Sequence, residues 1–312
     1  MRKFSEMLNT PIAFLAVVVV LVVAVNSFLY FGYYLPSISE NSPAEGDSPV
    51  VVGAGDIASC SNANDEATAE LLDDIDGTVI TLGDNAYEKG SGADFRECYD
   101  PTWGRYKHRT RPIPGNHEYD TPGAREYFDY FGEAAGDPSQ GYYSYDIGEW
   151  HVVALNSECW EVGGCRAPSP QVRWLKADLA ANRTDCTLAL MHKPLFNSGK
   201  HGTTPLVKPL WQALYAANAD VVLSGHDHNY QRYAPQDPSG KADPGRGLRE
   251  FVVGTGGKSH YAIKAPPLPN TEVYNDETYG VLKLTLHPEG YDWKFLPVVR
   301  KNFTDSGSDR CH

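Results

Sequence analysis

Positive charge is scarce in this chain. Lys and Arg total 27 against 40 Asp and Glu, a formal net charge of −13 at pH 7. That balance argues against a nucleic acid as an electrostatic partner. It leaves a phosphorylated substrate open, because a bound metal can supply positive charge locally. No CxxC pair is present. The six cysteines, Cys60, Cys98, Cys159, Cys165, Cys186 and Cys311, also lack zinc-site spacing, which makes a cysteine-ligated metal the weaker reading. Their even number fits three disulfides in an oxidising compartment. Cys159 and Cys165 flank a Gly163-Gly164 turn and could bridge locally, while the other four remain unassigned. The glycine-rich stretch 254–257 has neither a Walker Lys-Ser pair nor a following helix, so it reads as a turn near a site rim rather than a phosphate loop. There is no internal repeat and no sign of a second globular domain.

Charge is also missing from one long stretch. Between Glu6 and Glu40 no charged side chain occurs, and residues 11–34 are mostly Val, Leu, Ala and aromatics. A bilayer core requires about 20 such residues. A cleaved signal peptide has a shorter apolar region, roughly 7–15 residues, and small residues at its cleavage site. No clear Ala-x-Ala site follows here. The expectation is therefore a membrane anchor, or alternatively a signal sequence, over residues 1–36. Tyr30, Tyr33 and Tyr34 would form an interfacial belt, and Arg2 and Lys3 would stay cytoplasmic. Everything downstream would then be extracytoplasmic, membrane-anchored or secreted, and the membrane would be a partner through this apolar segment. Residues 37–49 read as a linker, 50–299 as one catalytic domain and 300–312 as a polar tail that a disulfide at Cys311 would pin.

From Val50 onward, short β-branched runs end in Gly, Asp, Asn or His, with helix-like stretches between several of them. Helices are expected over 65–72 after the possible cap Asn64, and over 170–181 with Ser169 as cap and Pro170 at the first position. A third is expected over 206–217, its first turn made irregular by Pro209. Strands alternating with helices indicate an α/β fold with substantial parallel sheet. After Gly247 strand follows strand (249–253, 280–286 and 291–298), as expected of antiparallel strands completing the sheets.

In open α/β sheets, ligands gather at the carboxyl ends of the strands. There this chain places Asp56, Asp84, Asn116, His192 and the pair His226 and His228. Each alone has an ordinary explanation, as a turn residue, a helix cap or a satisfied core histidine. Five such clusters in order, each just past a strand, are hard to explain as coincidental turn chemistry. Carboxylate, amide and imidazole together suit borderline and hard metal ions, and a carboxylate such as Asp84 can bridge two of them.

The ordered motifs GDIA at 55–58, GDNAY at 83–87, GNHE at 115–118, MHKP at 191–194 and GHDH at 225–228 resemble the calcineurin-like metallophosphoesterases. Tyr87, three residues after Asp84, resembles the metal-bound tyrosine of the purple acid phosphatase branch. The resemblance implies a four-layer αββα sandwich of two mixed β-sheets flanked by helices. It implies a first metal held by Asp56, Tyr87 and His228, a bridging Asp84, and a second metal held by Asn116, His192 and His226. The pair would be Fe(III) with Zn(II), Mn(II) or Fe(II). His117 would contact a phosphate oxygen, and His201 matches a substrate-pocket histidine. GDIA departs from the common GDxG of that branch without removing a ligand, and nothing corresponds to the N-terminal β-domain of the plant enzymes.

The chemistry stands without the family. A phosphate monoester repels hydroxide, and uncatalysed hydrolysis is extremely slow. Two metals neutralise phosphoryl oxygens and generate hydroxide near neutral pH for in-line attack. His201 or His117 could protonate the leaving oxygen, an effect worth roughly 10²–10⁴-fold. The expected activity is hydrolysis of small phosphomonoesters outside the cytoplasm. The alternatives are a phosphodiesterase of the same superfamily and a non-catalytic surface binding protein. Lys193 is expected to be solvated.

Overall fold

A computed structural model of the protein describes residues 48–312. The chain enters through β1 (Val50–Ala54), the short β2 (Ala58–Ser59), β3 (Thr78–Leu82), the short β4 (Ala86–Tyr87) and β5 (Thr110–Ile113). Next come β6 (Tyr143–Ile147), β7 (Trp150–Ala154), β8 (Cys186–Leu190), β9 (Val221–Ser224), β10 (Tyr230–Tyr233), β11 (Arg249–Val253) and β12 (Thr271–Asn275). The chain closes with β13 (Gly280–His287), β14 (Gly290–Pro297) and β15 (Ser306–Arg310). They form a six-stranded sheet in the order β15-β14-β13-β1-β3-β5, a seven-stranded sheet in the order β12-β10-β11-β9-β8-β7-β6, and a small β2-β4 pair. Strands β1, β3 and β5 are mutually parallel in the first sheet, and β7, β8, β9 and β11 in the second. Antiparallel strands complete both, as the strand-on-strand pattern after Gly247 anticipates.

The helices are α1 (Asn64–Ala69), the single turn α2 (Gly92–Asp94), α3 (Arg125–Phe131), α4 (Pro170–Ala181) and α5 (Lys208–Ala216). Ser169 caps α4 as expected, its hydroxyl accepting from the Val172 amide. Two expected helices are shorter than their patterns. The first tightens into a 3₁₀ turn over Glu70–Leu72, and Asn64 is its first helical residue rather than its cap. The third begins with a 3₁₀ turn over Pro205–Val207 before Pro209, which has no amide hydrogen to bond within a first turn.

Alternation along the strands builds the layers. In β7, β8 and β9, residues Val152, Ala154, Leu188, Leu190, Val221 and Leu223 face the core shared with Val51, Val79 and Val281 of the other sheet. Their neighbours Val153, Ala189 and Val222 face outward onto Leu175 of α4 and Leu210 and Trp211 of α5. A two-residue period is what a strand buried on both faces requires. Two mixed sheets flanked by helices are therefore stacked as the four-layer sandwich.

All six cysteines are paired, as Cys60–Cys98, Cys159–Cys165 and Cys186–Cys311. The tail is ordered. β15 pairs with β14, and Cys311 is bonded to the first residue of β8 in the other sheet.

The expected membrane anchor is corrected. Among the described residues no helix is long and apolar enough to cross a membrane. The segment 11–34 on which that expectation rested lies outside the described residues, and neither a transmembrane helix nor a membrane partner is assigned.

Candidate metal centre

Both sheets deliver parallel strand ends to one place. The Gly55 amide donates to the Val253 carbonyl at 2.9 Å, and His192 Nδ1 lies 2.7 Å from the Leu82 carbonyl oxygen, so the ends of β1 and β3 meet those of β11 and β8. At these ends the backbone turns sharply: Asp56, Asp84 and His226 have φ values of 60°, 49° and 69°. Asp and His tolerate this left-handed region better than most residues, and such conformations concentrate at functional sites. The approach is close enough to demand glycine. A Cβ on Gly115 would lie 2.2 Å from Asp84 Oδ1, and one on Gly254 would lie 2.8 Å from Asp56 Oδ2. The 254–257 turn is thus a wall packed against Asp56, closer in than the rim position expected of it.

The seven anticipated ligand residues converge. The Tyr87 hydroxyl lies 2.9 Å from Asp56 Oδ1, 3.1 Å from Asp84 Oδ2 and 3.2 Å from His228 Nε2. On the other side of Asp84, donor atoms of Asp84, His192 and His226 all lie within 4.8 Å of one another. His192 Nε2 is 3.3 Å from both Asp84 Oδ2 and the Asn116 side-chain oxygen. Asp84 therefore stands between a Tyr87, Asp56 and His228 group and an Asn116, His192 and His226 group. The ring nitrogens are oriented from behind: His192 Nδ1 donates to Leu82, and His228 Nδ1 is 2.7 Å from the Ser259 hydroxyl. Outer partners of this kind fix which nitrogen faces a metal.

The protonation states follow from burial and neighbours. Burial alone would raise the Asp84 carboxyl, but the charge and hydrogen bond of His192, with a further contribution from His117, hold it well below the usual range. Burial would depress His192, yet the Asp84 carboxylate outweighs it and pushes the imidazole up to about 10. His226 lies near the same Asp84 carboxylate, but burial and then the His192 charge outweigh it and lower the imidazole to about 2. Tyr87 is pushed well above 10 by burial and by the Asp56 and Asp84 charges, so it is a phenol donating to carboxylates.

The donor set fits bound metal. Asp56 and Asp84 are buried, and among the described residues neither forms an ion pair with Lys or Arg; the basic side chains beside them are histidines. Buried carboxylates without a fixed counter-charge are costly, and a cation coordinated by oxygen and imidazole removes that cost.

The two candidate proton donors flank this cluster. The His117 amide donates to Asp84 Oδ1 at 2.9 Å, its Nδ1 donates to the Glu88 carbonyl at 2.6 Å, and its ring centroid is 4.5 Å from that of Tyr87. His201 stacks on His226 at 4.4 Å between centroids, and its side chain is 36 % exposed. Lys193 departs from expectation. It is half-buried and ion-paired to Glu158 at 2.6 Å.

Sequence reasoning passed over the residues that hold these groups. Glu118, fully buried, accepts the amides of Asp84 at 3.0 Å, Asn85 at 2.8 Å and Gly115 at 2.7 Å, tying two ligand loops together. Burial and the Asp84 charge push its carboxyl up to about 7 against those donors. Asp227 accepts the amides of Lys200 at 2.8 Å and His201 at 3.0 Å, anchoring the loop that carries His201. Both lie inside motifs, and their buried carboxylates were the available signal. Lys258 and Tyr261 carried none: the Lys258 ammonium sits 4.9 Å over the Tyr87 ring, and Tyr261 stacks on His228 at 4.0 Å.

Comparison with known proteins agrees with this centre. The family model for calcineurin-like phosphoesterases matches residues 49–230. Purple acid phosphatase 18 of Arabidopsis thaliana is 30% identical over 156 residues, 47% of this chain and 34% of that protein. A nucleotide pyrophosphatase/phosphodiesterase of Hordeum vulgare is 26% identical over 276 residues, covering 75% of this chain and 72% of that one. The chain thus spans about a third of the length of the first curated relatives it matches. Among solved structures, a purple acid phosphatase from yellow lupin (Lupinus luteus) shares the fold, with a TM-score of 0.67 at 19% identity over 83% of this chain and 53% of that chain. Two mixed sheets, five motif clusters meeting at one buried carboxylate and the family match over more than half of the sequence lead to one conclusion: this chain belongs to the calcineurin-like phosphoesterase family.

Proposed function

We propose that the protein is a dinuclear-metal phosphoric monoester hydrolase working outside the cytoplasm, with residues 50–299 as its catalytic domain. The observation that carries this reading is the position of Asp84, whose Oδ2 lies 3.1 Å from the Tyr87 hydroxyl and 3.3 Å from His192 Nε2, between two separate donor groups. Asp56, Tyr87 and His228 would hold one ion, Asn116, His192 and His226 the other, and Asp84 both. Fe(III) fits the phenolic oxygen of the first group, and Zn(II), Mn(II) or Fe(II) the second. Bound there, such ions supply positive charge to phosphoryl oxygens and acidify water. The protein's own groups do the rest. His117 orients a phosphate oxygen through Nε2, the ring nitrogen not engaged by the Glu88 carbonyl. His201 gives a proton to the departing ester oxygen as water attacks phosphorus in line and the phosphorus–oxygen ester bond breaks, releasing the alcohol, and the proton lost by the attacking water returns to His201 through solvent. Three disulfides are consistent with an oxidising, extracytoplasmic compartment.

The test is turnover of p-nitrophenyl phosphate against bis-p-nitrophenyl phosphate by protein reconstituted with iron and zinc or manganese, together with metal content. Preference for the monoester and about two metals per chain is expected. Preference for the diester would transfer the assignment to phosphodiesterase, the reading favoured by the barley relative that spans most of this chain. Less than one metal per chain with no turnover would leave a binding protein.

A further inference from the structure

One indole lies outside the core. Trp160 is 82 % exposed, whereas Trp103, Trp150, Trp211 and Trp293 are buried. It is held rigidly. Cys159–Cys165 closes a loop six residues apart in sequence around it, and Asn156 at the base exchanges two bonds with the buried Gln171 at 2.8 and 2.9 Å. The base is also fastened to the metal centre. The Lys193 amide, next to His192, donates to the Ser157 hydroxyl at 2.9 Å, and the Lys193 ammonium pairs with Glu158 at 2.6 Å. Three residues separate Ser157 from Trp160, a reach of at most about 10 Å.

Beside the indole is a cavity of about 410 Å³, lined by the disulfide, Pro168, Pro170 and Leu206. Pro170 opens α4 after β7, and Leu206 lies in the turn that leads into α5 after β8. The cavity therefore lies on the carboxyl-end side of the sheet, where His192 stands, and Leu206 is five residues from His201. An exposed aromatic face beside an apolar cavity is a common means of binding planar groups.

We propose that Trp160 and this cavity form a leaving-group subsite for a planar aromatic group, such as a nucleobase, esterified to the phosphate that the metal centre holds. This rests on the hydrolase reading above and extends it to a substrate class. The occupant is the substrate's own leaving group, because the loop is bolted to the segment carrying one ligand and flanked by the segment carrying the proton donor. The cavity surface is mostly apolar, with Arg166 and Ser169 as its polar side chains, while the phosphate would lie at the metal centre.

The test is the ratio of kcat/KM for adenosine 5′-monophosphate to that for glycerol 2-phosphate in the wild type, Trp160→Ala and Trp160→Phe. Loss of one stacked base corresponds to roughly a tenfold fall in that ratio in Trp160→Ala, mostly through KM, with most of it restored by Trp160→Phe. A ratio that does not move overturns the subsite, as does a wild-type dimer that dissociates on substitution with the ratio unchanged. Failure of the wild type to hydrolyse either ester defeats the hydrolase reading instead. Adenosine quenching of indole fluorescence, expected in the wild type and absent in Trp160→Ala, then decides the subsite alone, and its absence in the wild type overturns it.

Discussion

Replacing Cys186 and Cys311 together by alanine should lower thermal stability while leaving the metal centre intact. The bond joins β8 of one sheet to the end of β15 at the edge of the other, across 125 residues of sequence. Loop-closure entropy for that length amounts to about 4.9 kcal/mol at 25 °C. Unfolding entropy for about 265 described residues is roughly 0.56 kcal/mol/K, which converts the loss into a fall in Tm of about 9 °C. Structure retained in the unfolded chain would make the fall smaller, and 4 °C corresponds to about 2 kcal/mol on the same scale. The bond sits at the first residue of β8, while His192 lies two residues past the last. Six residues of extended chain, about 20 Å, separate them. Calorimetry of the double variant beside metal analysis and p-nitrophenyl phosphate turnover is the assay. A fall below about 2 °C would show that the link adds little to the packing between the sheets. Loss of metal in step with stability would show that the tail supports the centre directly.

Metal loading of the metal-free protein at pH 7.5 should release about two protons per chain, from the His192 imidazolium held near 10 and from the Tyr87 phenol held above its ordinary value; a pH-stat reads this, and no release would refute the assigned protonation states. In iron-loaded protein, Tyr87→Phe should abolish a visible charge-transfer band, and a band that survives would remove Tyr87 from the first metal. His201→Asn should slow hydrolysis of glycerol 2-phosphate by roughly 10²-fold and of p-nitrophenyl phosphate by much less, since the better leaving group needs less protonation; equal losses would assign His201 to binding instead. His312, raised by its hydrogen bond to Asp220, is more readily protonated folded than unfolded. Its contribution to holding the tail is therefore full below the ordinary pKa of 6.5 and lost as pH rises through the raised value. Hydrogen exchange at β15 should accelerate over that window, and His312→Ala should remove the pH dependence.

Much of the site was legible because its signals are local. A Gly-Asp or Gly-Asn-His after a β-branched run marks a strand end where the chain must turn, and the side chains there are metal ligands by type. The layers were implied by the resemblance of the motifs, whereas β7 to β9 are buried throughout and only the structure showed which residues face which layer. What escaped depends on distant partners. The pairings of Cys60 with Cys98 and of Cys186 with Cys311 need the sheets assembled, and nothing in the polar run 306–310 announces an edge strand. Glu118 and Asp227 read as motif filler until burial showed that each carboxylate organises a loop. Lys193, taken as a solvated lysine, proved to be tied to Glu158, a residue 35 positions earlier. Pro209 did identify the irregular start of α5, because the missing amide is a property of the residue itself.

The amino-acid order by itself determined the alternating architecture, the family and the kinds of donor available, since strand period, turn residues and ligand chemistry are written residue by residue. Tertiary structure brought the strand ends of the two stacked sheets together and set the distances that put Asp84 Oδ2 against both donor groups. It also decided that His192 is driven up to about 10 while the adjacent His226 is lowered to about 2. The two imidazoles are chemically identical and lie near the same Asp84 carboxylate; the direct 3.3 Å contact raises His192, and the resulting charge helps lower His226.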